Sequence, residues 1–200
     1  MPKTITLHPV TPQLRFMEEI AVTLNRDGLL IFPSDSGYTL GCSVMSPKAL
    51  KKIYQLKKSS KKYQMSILFP DFAPVSEFAY VDNAAFKYMR PLVPGPYTFI
   101  LPCTRKGRKL LEVNREEIGV RIPEHVFLTA LQNHFPYPII TTSPKNEGEE
   151  FKLPEEISPF FLNAADVVAD MGEIPMNEST VIRLTGDEPE LIREGAGPVP

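Results

Sequence analysis

The sequence of 200 residues has little of what marks a disulfide-bonded or zinc-binding protein. Its two cysteines, Cys42 and Cys103, sit in apolar segments typical of strands, which predicts buried thiols in a reducing compartment rather than a disulfide framework. Its three histidines, His8, His125 and His134, show no metal-ligand spacing among themselves or with the cysteines. We therefore expect no metal site built by the protein and no catalytic Cys–His pair.

Long apolar runs are also missing from the chain. No segment approaches the roughly 20 apolar residues that cross a bilayer, and the opening stretch MPKTITLHPV has no apolar core of a secretory signal. We therefore expect a cytoplasmic protein without a membrane partner. A composition of 42% hydrophobic and 23% charged residues is ordinary for a globular protein, and the length predicts a single domain over residues 1–200.

Acidic residues are absent between Ser36 and Pro70, although seven lysines fall in that stretch. These are Lys48, Lys51, Lys52, Lys57, Lys58, Lys61 and Lys62. The asymmetry extends further, because residues 1–146 carry a net charge of +8 and residues 147–200 carry −10. Two interpretations stay open: a solvated helix face followed by a loop, or a surface that attracts the phosphates of a nucleotide or nucleic acid.

Apolar residues recur with both strand and helix periodicity along the chain. Three helices are predicted to start after the residues Thr11, Ser46 and Asp82, the first two with a proline, Pro12 and Pro47, at the first helical position. A further helical pattern covers 124–134. Strands are predicted at residues 5–7, 29–32, 65–69, 97–101, 118–122, 139–142, 167–169, 180–184 and 191–193. Strands that alternate with helices predict an α/β fold around a mixed sheet.

Hydroxyl-rich segments follow several of the predicted strands. The run IFPSDSGYTLGC, residues 31–42, leaves an apolar strand and then places two serines, an aspartate, a tyrosine and a threonine close together. Three other segments resemble it, PGPYTFIL (94–101), IGVRIPEH (118–125) and IITTSPKNEG (139–148). Open α/β sheets bind ligands beyond the carboxyl ends of their strands, so these segments are candidates for a polar site. Each alone is a weak signal, because serine and threonine at strand ends more commonly form turns.

Taken in order, these segments resemble the YrdC/YciO family, which includes the threonylcarbamoyl-AMP synthases. PSDSGYTLG, PGPYTFIL, IGVRIPEH, STVIRL and IREGAG all occur with the expected spacing, from about Thr11 to Gly197. The segment VDNAAF at 81–86 makes the YciO branch the nearer one. The resemblance implies a twisted mixed sheet with helices and a large, open, basic cavity.

In the synthases, that cavity takes L-threonine, bicarbonate and ATP with Mg²⁺, and it yields threonylcarbamoyl-AMP and pyrophosphate for tRNA modification. The carboxylated threonine is itself the nucleophile, so the protein has to position it near the α-phosphate and stabilise charge. Members of the family are also associated with double-stranded RNA and tRNA. ATP and RNA are therefore both expected partners, with Mg²⁺ accompanying the nucleotide.

The resemblance assigns roles to particular positions of this chain. Threonine contacts are expected at Ser34, Tyr38, Arg121, Thr141 and Ser179. Nucleotide contacts are expected at Lys57, Ser143 and Arg193, and RNA contacts at the seven lysines named above. For Arg121, the planar guanidinium suits an amino-acid carboxylate, but a structural ion pair is the alternative.

The chain also departs from the pattern of the synthases. Their K-x-R signature is Lys57-Lys58-Ser59 here, and their S-x-N signature is Ser143-Pro144-Lys145. Glu117 replaces a threonine, and Phe69 stands where a histidine is common. Three hypotheses therefore remain. The first is an enzyme, either a weak or divergent synthase or a relative that adenylates another small acid. The second is a non-catalytic RNA-binding module, and the third is a structural remnant of the fold.

Overall fold

The computed structural model describes residues 1–57, 65–110, 116–146 and 149–199. Lys58, Ser59, Lys61 and Lys62, which figure in the sequence predictions, lie outside the described residues. Within the described part, no helix is both long and apolar enough to cross a membrane.

Ten strands and seven α-helices make up the regular structure of the described residues. The strands are β1 (Lys3–Thr6), β2 (Leu30–Ser34), β3 (Gly37–Ser43), β4 (Ser66–Leu68), β5 (Tyr97–Pro102), β6 (Glu117–Arg121), β7 (Ile139–Thr142), β8 (Val167–Asp170), β9 (Thr180–Arg183) and β10 (Glu190–Arg193). The helices are α1 (Leu14–Asn25), α2 (Pro47–Leu56), α3 (Val75–Phe78), α4 (Asn83–Met89), α5 (Arg105–Leu110), α6 (Val126–Gln132) and α7 (Pro159–Leu162). Short 3-10 turns cover Arg90–Leu92 and Pro154–Glu156.

All ten described strands join one sheet in the order β1-β8-β2-β3-β7-β4-β6-β5-β9-β10. Four neighbouring pairs are parallel, β1–β8, β8–β2, β4–β6 and β5–β9, and the other five are antiparallel. The predicted α/β class with a mixed sheet is therefore confirmed.

Helices cover the two faces of the sheet unequally. One apolar cluster packs beneath α2, α3, α4 and α7, and it takes alternate residues from the central strands. The second cluster packs beneath α1 and α6 and takes residues of the opposite face from β2, β4, β7 and β8. Because successive strand side chains alternate between faces, each of these strands feeds both clusters.

The second face continues beyond its helices into an open polar surface. Along β7, Ile140 joins the first cluster and Ile139 joins the second, while Thr141 faces a cavity. Along β4, Leu68 belongs to the second cluster and Ser66 to that cavity. The same face of the sheet thus supplies a helix-covered core at one side and a ligand-sized cavity at the other.

Helix starts were predicted correctly in two cases and wrongly in one. Ser46 caps α2 and Asp82 caps α4, each by accepting a hydrogen bond from a backbone N–H three residues on, at 3.1 and 2.7 Å. The first helix begins at Leu14 rather than Pro12. Gln13 stands at its N-cap without a capping side-chain hydrogen bond, and the hydroxyl of Thr11, the predicted cap, lies instead 3.1 Å from Nδ1 of His8.

The hydroxyl-rich run at 31–42 is a hairpin rather than a simple strand end. Strand β2 extends to Ser34, pairs with β3 from Gly37, and leaves Asp35 and Ser36 as the connecting residues. Gly37 has φ of +104°, a conformation that residues with a side chain rarely adopt, so glycine makes this tight reversal possible.

His125 caps α6 with its imidazole rather than with a hydroxyl. Its Nδ1 accepts a hydrogen bond from the backbone N–H of Phe127 at 3.2 Å, which requires the neutral ring. Burial lowers the pKa of His125 to about 4. The unfolded chain therefore binds the proton more readily than the folded chain, and stability falls as pH drops from about 6.5 towards 4.

We expect His125→Asn to reduce this acid sensitivity, because asparagine keeps a capping acceptor and does not titrate. The test is the urea midpoint of both chains between pH 4 and pH 7. The wild type should lose more stability on acidification than the variant, whereas the control His134→Asn should retain the wild-type loss. Parallel losses in the wild type and His125→Asn would contradict the assignment.

The C-terminal segment packs directly on the backbone at the start of β9. Ala196 N–H donates to the carbonyl of Glu178 at 2.8 Å, and Thr180 Oγ1 accepts from Gly195 N–H at 3.0 Å. A Cβ at Gly195 would lie 2.2 Å from the Glu178 carbonyl oxygen and 2.6 Å from the Ser179 carbonyl carbon. Only glycine allows this approach, because both contacts are with backbone that has no rotamer to change.

We expect Gly195→Ala to lower the free energy of unfolding by about 1–3 kcal/mol, the usual cost of overpacking. Gly186→Ala is the matched control, because its Cβ would come no closer than 4.0 Å to another atom. Chemical denaturation should show a lower midpoint for Gly195→Ala and a nearly unchanged one for Gly186→Ala. Equal midpoints for the two variants would refute the packing argument.

Candidate functional site

A cavity of about 580 Å³ lies over the uncovered part of the sheet. Strands β3, β4, β5, β6, β7 and β9 all contribute side chains to its wall, together with the segments that precede β6 and β9. A volume of this order is typical of a site for a small molecule.

Gly119 forms part of the cavity floor between two neighbouring strands. A Cβ at this position would lie 3.3 Å from both Ser66 Cβ and Thr98 Cγ2, so a side chain there would crowd the neighbours and fill the cavity. The hydroxyls beside it are paired: Ser66 with Thr141 at 3.1 Å, and Thr98 with Ser179 at 2.8 Å. The floor therefore offers ordered hydroxyl groups around an open centre.

Arg121 is the most buried cation of the cavity wall. It stands at the end of β6, its Nη1 donates to Ser36 Oγ at 2.9 Å, and its Nη2 forms an ion pair with Asp35 Oδ1. The side chains of Arg121 and Asp35 are 8% and 9% exposed, so the pair is almost fully desolvated. The structural ion pair considered from the sequence is present, and Arg121 nevertheless lines the cavity.

The electrostatics of the pair follow from its burial. Desolvation raises the pKa of Asp35 against the opposing effect of Arg121, and desolvation lowers the pKa of Arg121. The charge of Arg193 also contributes to lowering the pKa of Arg121. Among the described residues, Asp35 Oδ2 and Arg121 Nε are buried without a hydrogen-bond partner. The pair can therefore still accept a hydrogen bond at Asp35 Oδ2 and donate one from Arg121 Nε.

A second group of charges borders the cavity around Arg193. Arg193 Nη1 lies 2.9 Å from Glu178 Oε2, and its Nε and Nη2 both donate to the carbonyl of Ser179, at 3.2 and 2.8 Å. The other Glu178 oxygen lies 3.1 Å from Lys145 Nζ. Arg183 of β9 is held in turn by Glu117 at 3.5 Å and by Glu190 at 2.9 Å.

Six of the eight predicted amino-acid and nucleotide contacts line this single cavity: Tyr38, Arg121, Thr141, Ser143, Ser179 and Arg193. Ser34 is buried behind the wall and uses its hydroxyl inside the hairpin, donating to the carbonyl of Gly37 at 2.9 Å. Tyr38 gives only its body to the wall, because its hydroxyl donates to the carbonyl of Gly172 at 2.7 Å and accepts from Met171 N–H at 3.0 Å. Burial raises the pKa of Tyr38 well above its usual range.

Lys57 does not line the cavity. It is 7% exposed, and its Nζ donates to the backbone carbonyl of Lys145 at 2.8 Å and lies 4.9 Å from the ring centroid of Phe161. Burial, together with the smaller effect of the Lys145 charge, lowers the pKa of Lys57 to about 8. Lys57 therefore serves as a buried hydrogen-bond donor to the backbone of Lys145.

The predicted lysine surface is only partly described. Lys48, Lys51 and Lys52 are exposed on the outer face of α2, and Lys48 pairs with Asp27 at 3.6 Å. Lys57 is buried and does not belong to that exposed face. Lys58, Lys61 and Lys62 lie outside the described residues.

The predicted basic character of the cavity is not confirmed by the residues that the structure describes. The described residues that line the cavity include three arginines, Arg121, Arg183 and Arg193, and three glutamates, Glu116, Glu117 and Glu178. Sequence reasoning singled out Glu117 but missed Glu178, Arg183, Ser66 and Thr98. Alternation along β4, β5 and β9 was the signal for Ser66, Thr98 and Arg183, whereas Glu178 precedes its strand and had no such signal.

The family model Sua5/YciO/YrdC, described as telomere recombination, matches residues 22–195. YciO of Escherichia coli K12 is 34% identical over 196 residues, which cover 96% of this chain and 95% of that protein. The crystal structure of E. coli YciO superposes with a TM-score of 0.90 at 32% identity and covers 99% of this chain and 98% of that one.

Two further relatives carry a biochemical name or ligand. A protein of Methanocaldococcus jannaschii named putative threonylcarbamoyl-AMP synthase is 30% identical over 86% of this chain and 81% of its own length. The P. abyssi Sua5 structure complexed with L-threonine shares the fold at a TM-score of 0.86 and 24% identity, over 96% of this chain and 57% of that one. The match of the family model over most of the sequence, and the YciO relative over nearly all of it, establish that the chain belongs to the Sua5/YciO/YrdC family.

Proposed function

We propose that the cavity binds a small amino acid, L-threonine in the first instance, together with ATP and bicarbonate. The chain would then be a weak or divergent threonylcarbamoyl-AMP synthase that serves the formation of N6-threonylcarbamoyladenosine in cytoplasmic tRNA. The observation that carries this proposal is the convergence of Arg121, Thr141, Ser143, Ser179 and Arg193, from four separate stretches of the chain, on one cavity. The name of the M. jannaschii relative and the L-threonine bound to P. abyssi Sua5 support the choice of ligand.

Arg121 is the proposed anchor for the amino-acid carboxylate. Asp35 and Ser36 already hold its guanidinium in place, so little side-chain entropy is lost when a ligand binds. A polar ligand beside the pair would also compensate the polar capacity left at Asp35 and Arg121. The hydroxyls of Thr141 and Ser179 are placed to orient the rest of a small polar molecule.

The reaction asks the protein for positioning and charge stabilisation. The amine of threonine attacks the carbon of bicarbonate, and a carbon–oxygen bond breaks as water leaves, which gives a carbamate. A carbamate oxygen then attacks the α-phosphorus of ATP, and pyrophosphate leaves. Among the described residues of the cavity wall, Ser143 and Arg193 are the proposed hydrogen-bond donors to the phosphates of ATP. Mg²⁺ would enter with ATP as part of the substrate, since the described residues contain no group of three or more His, Cys, Asp or Glu placed to hold a metal.

Turnover is expected to be slow, because the chain departs from the synthase pattern at positions proposed to contact the nucleotide. Serine at 59 and Lys145 replace an arginine and an asparagine of the synthase pattern, and Glu117 adds negative charge to the lining. Losing one well-placed donor to a developing charge typically costs about 10²–10³ in rate. The amino-acid part of the site keeps more of its expected groups than the nucleotide part.

We expect Arg121→Lys to weaken L-threonine binding by at least about tenfold, because lysine keeps the charge but loses the planar fork that fits a carboxylate. Calorimetry with L-threonine measures the affinity, and pyrophosphate release with ATP, bicarbonate and threonine measures the reaction. Arg105→Lys, an exposed exchange in α5, is the control and should behave as the wild type. Threonine affinity that is unchanged in Arg121→Lys, or undetectable in the wild type, would refute the proposal.

Binding of double-stranded RNA or tRNA without catalysis is the second candidate, favoured by the exposed row Lys48, Lys51 and Lys52 in a stretch without acids. We expect the triple alanine variant to bind a short RNA duplex more weakly at every sequence tested. Each lysine that contacts a phosphate releases counterions when RNA binds. Loss of three such contacts should therefore make the slope of log affinity against log salt shallower by about 2 to 3.

Replacing Lys87, Lys109 and Lys152 by alanine removes the same charge elsewhere and serves as the control. Fluorescence anisotropy at several salt concentrations provides both the affinity and the slope. If the two triple variants lose affinity equally, α2 is not an RNA surface.

A further inference from the structure

The described cations of the cavity wall are each held by a carboxylate of the chain itself. Arg121 is paired with Asp35, Arg183 with Glu117 and Glu190, and Arg193 with Glu178. A polyanion that enters the cavity thus meets guanidinium groups whose charge is already largely compensated. The arrangement differs from a phosphate site, where cations or backbone N–H groups face the ligand without acids between them.

Glu178 is the acid that holds two cations at once. Its Oε1 lies 3.1 Å from Lys145 Nζ and its Oε2 lies 2.9 Å from Arg193 Nη1. Arg193 is held further by its hydrogen bonds to the Ser179 carbonyl, and the backbone carbonyl of Lys145 accepts a hydrogen bond from Lys57 Nζ. A ligand that contacts either cation therefore has to displace the Glu178 carboxylate or lie beside it.

We propose that Glu178 is a specificity-determining residue that reserves Lys145 and Arg193 and so makes the cavity select a ligand of low net negative charge over a polyphosphate. A ligand with one carboxylate needs a single donor, and Arg121, although paired with Asp35, keeps an Nε without a hydrogen-bond partner among the described residues. A pyrophosphate or triphosphate group, in contrast, has to displace the Glu178 carboxylate or tolerate its repulsion at short range. The inference rests on the proposed function only in taking this cavity as the ligand site.

Glu178→Gln is a clean change at this position. It preserves the size of the side chain, and the hydrogen bond from Ala196 to position 178 uses the backbone carbonyl, which the exchange does not alter. Glu188→Gln removes the same charge in the exposed connection between β9 and β10, outside the cavity lining, and is the matched control. A comparison of the two variants separates the local contact from the change in net charge.

The experiment is calorimetric titration with sodium pyrophosphate at fixed ionic strength, on the full chain and its variants. We expect Glu178→Gln to bind pyrophosphate about tenfold more tightly than the wild type, and Glu188→Gln to stay within about twofold of it. Binding that is detectable in Glu178→Gln and undetectable in the wild type would equally support the proposal. Binding to Glu178→Gln that is no tighter than to Glu188→Gln, including no binding to either, would overturn it.

Lys145→Gln provides a second test that does not need the Glu178 variant to be more stable or more active. With Glu178 present, Lys145 is already reserved, so Lys145→Gln should change pyrophosphate affinity by less than about twofold. In the Glu178→Gln background the same exchange should remove most of the gain, which makes the two effects strongly non-additive. A large loss on Lys145→Gln alone would show that Lys145 is available to phosphate in the wild type and would overturn the proposal.

L-Threonine titrated into the same variants keeps this proposal distinct from the proposed function. Failure of every variant to bind threonine would refute the amino-acid site and leave the pyrophosphate comparison valid. Threonine binding with identical pyrophosphate affinities would support the amino-acid site and refute the role of Glu178.

Discussion

The site depends first on the buried ion pair between Asp35 and Arg121. Asp35 lies in the two-residue connection of the β2–β3 hairpin, while Arg121 ends β6, and strands β7 and β4 separate β3 from β6 in the sheet. The pair therefore ties the hairpin across the open face and fixes one wall of the cavity. Removing one partner of such a desolvated pair leaves an uncompensated charge, which typically costs about 3–5 kcal/mol. The contacts with Ser36 and Asp35 hold the guanidinium of Arg121 in place at the cavity wall.

The rest of the cavity follows from strand alternation and unequal helix coverage. One face of the sheet is packed beneath α2, α3, α4 and α7, so its inward positions are mostly apolar. The other face carries α1 and α6 at one side only, and beyond them the inward positions of β4 and β7 change from Leu68 and Ile139 to Ser66 and Thr141. Gly119 deepens the floor where these hydroxyls meet. Core and site are thus parts of one periodic pattern.

The sequence was sufficient for the fold class and for elements with a local signal. Ser46 and Asp82 were recognised as caps because a capping side chain acts within three residues of itself. An ion pair of Arg121 was considered from the sequence, but Asp35 was not identified as its partner, since the two residues are 86 positions apart and no periodicity links them. Glu178 was missed for a related reason, because its two cations come from the turn after β7 and from β10. Local patterns identify elements, whereas the charge balance of a cavity depends on which distant segments meet.

The departures from the synthase pattern can be compared with the charges that line the cavity. At position 59 a serine stands in place of the arginine of the synthase pattern and at position 145 a lysine in place of the asparagine, while Glu117 and Glu178 pair with Arg183 and Arg193 on the lining. The two glutamates add negative charge to the cavity wall, and their partners in the structure are cations other than Arg121. Under the proposed function, this charge balance suits a small acid with one carboxylate better than a polyphosphate, because each further negative charge on the ligand meets a carboxylate of the wall.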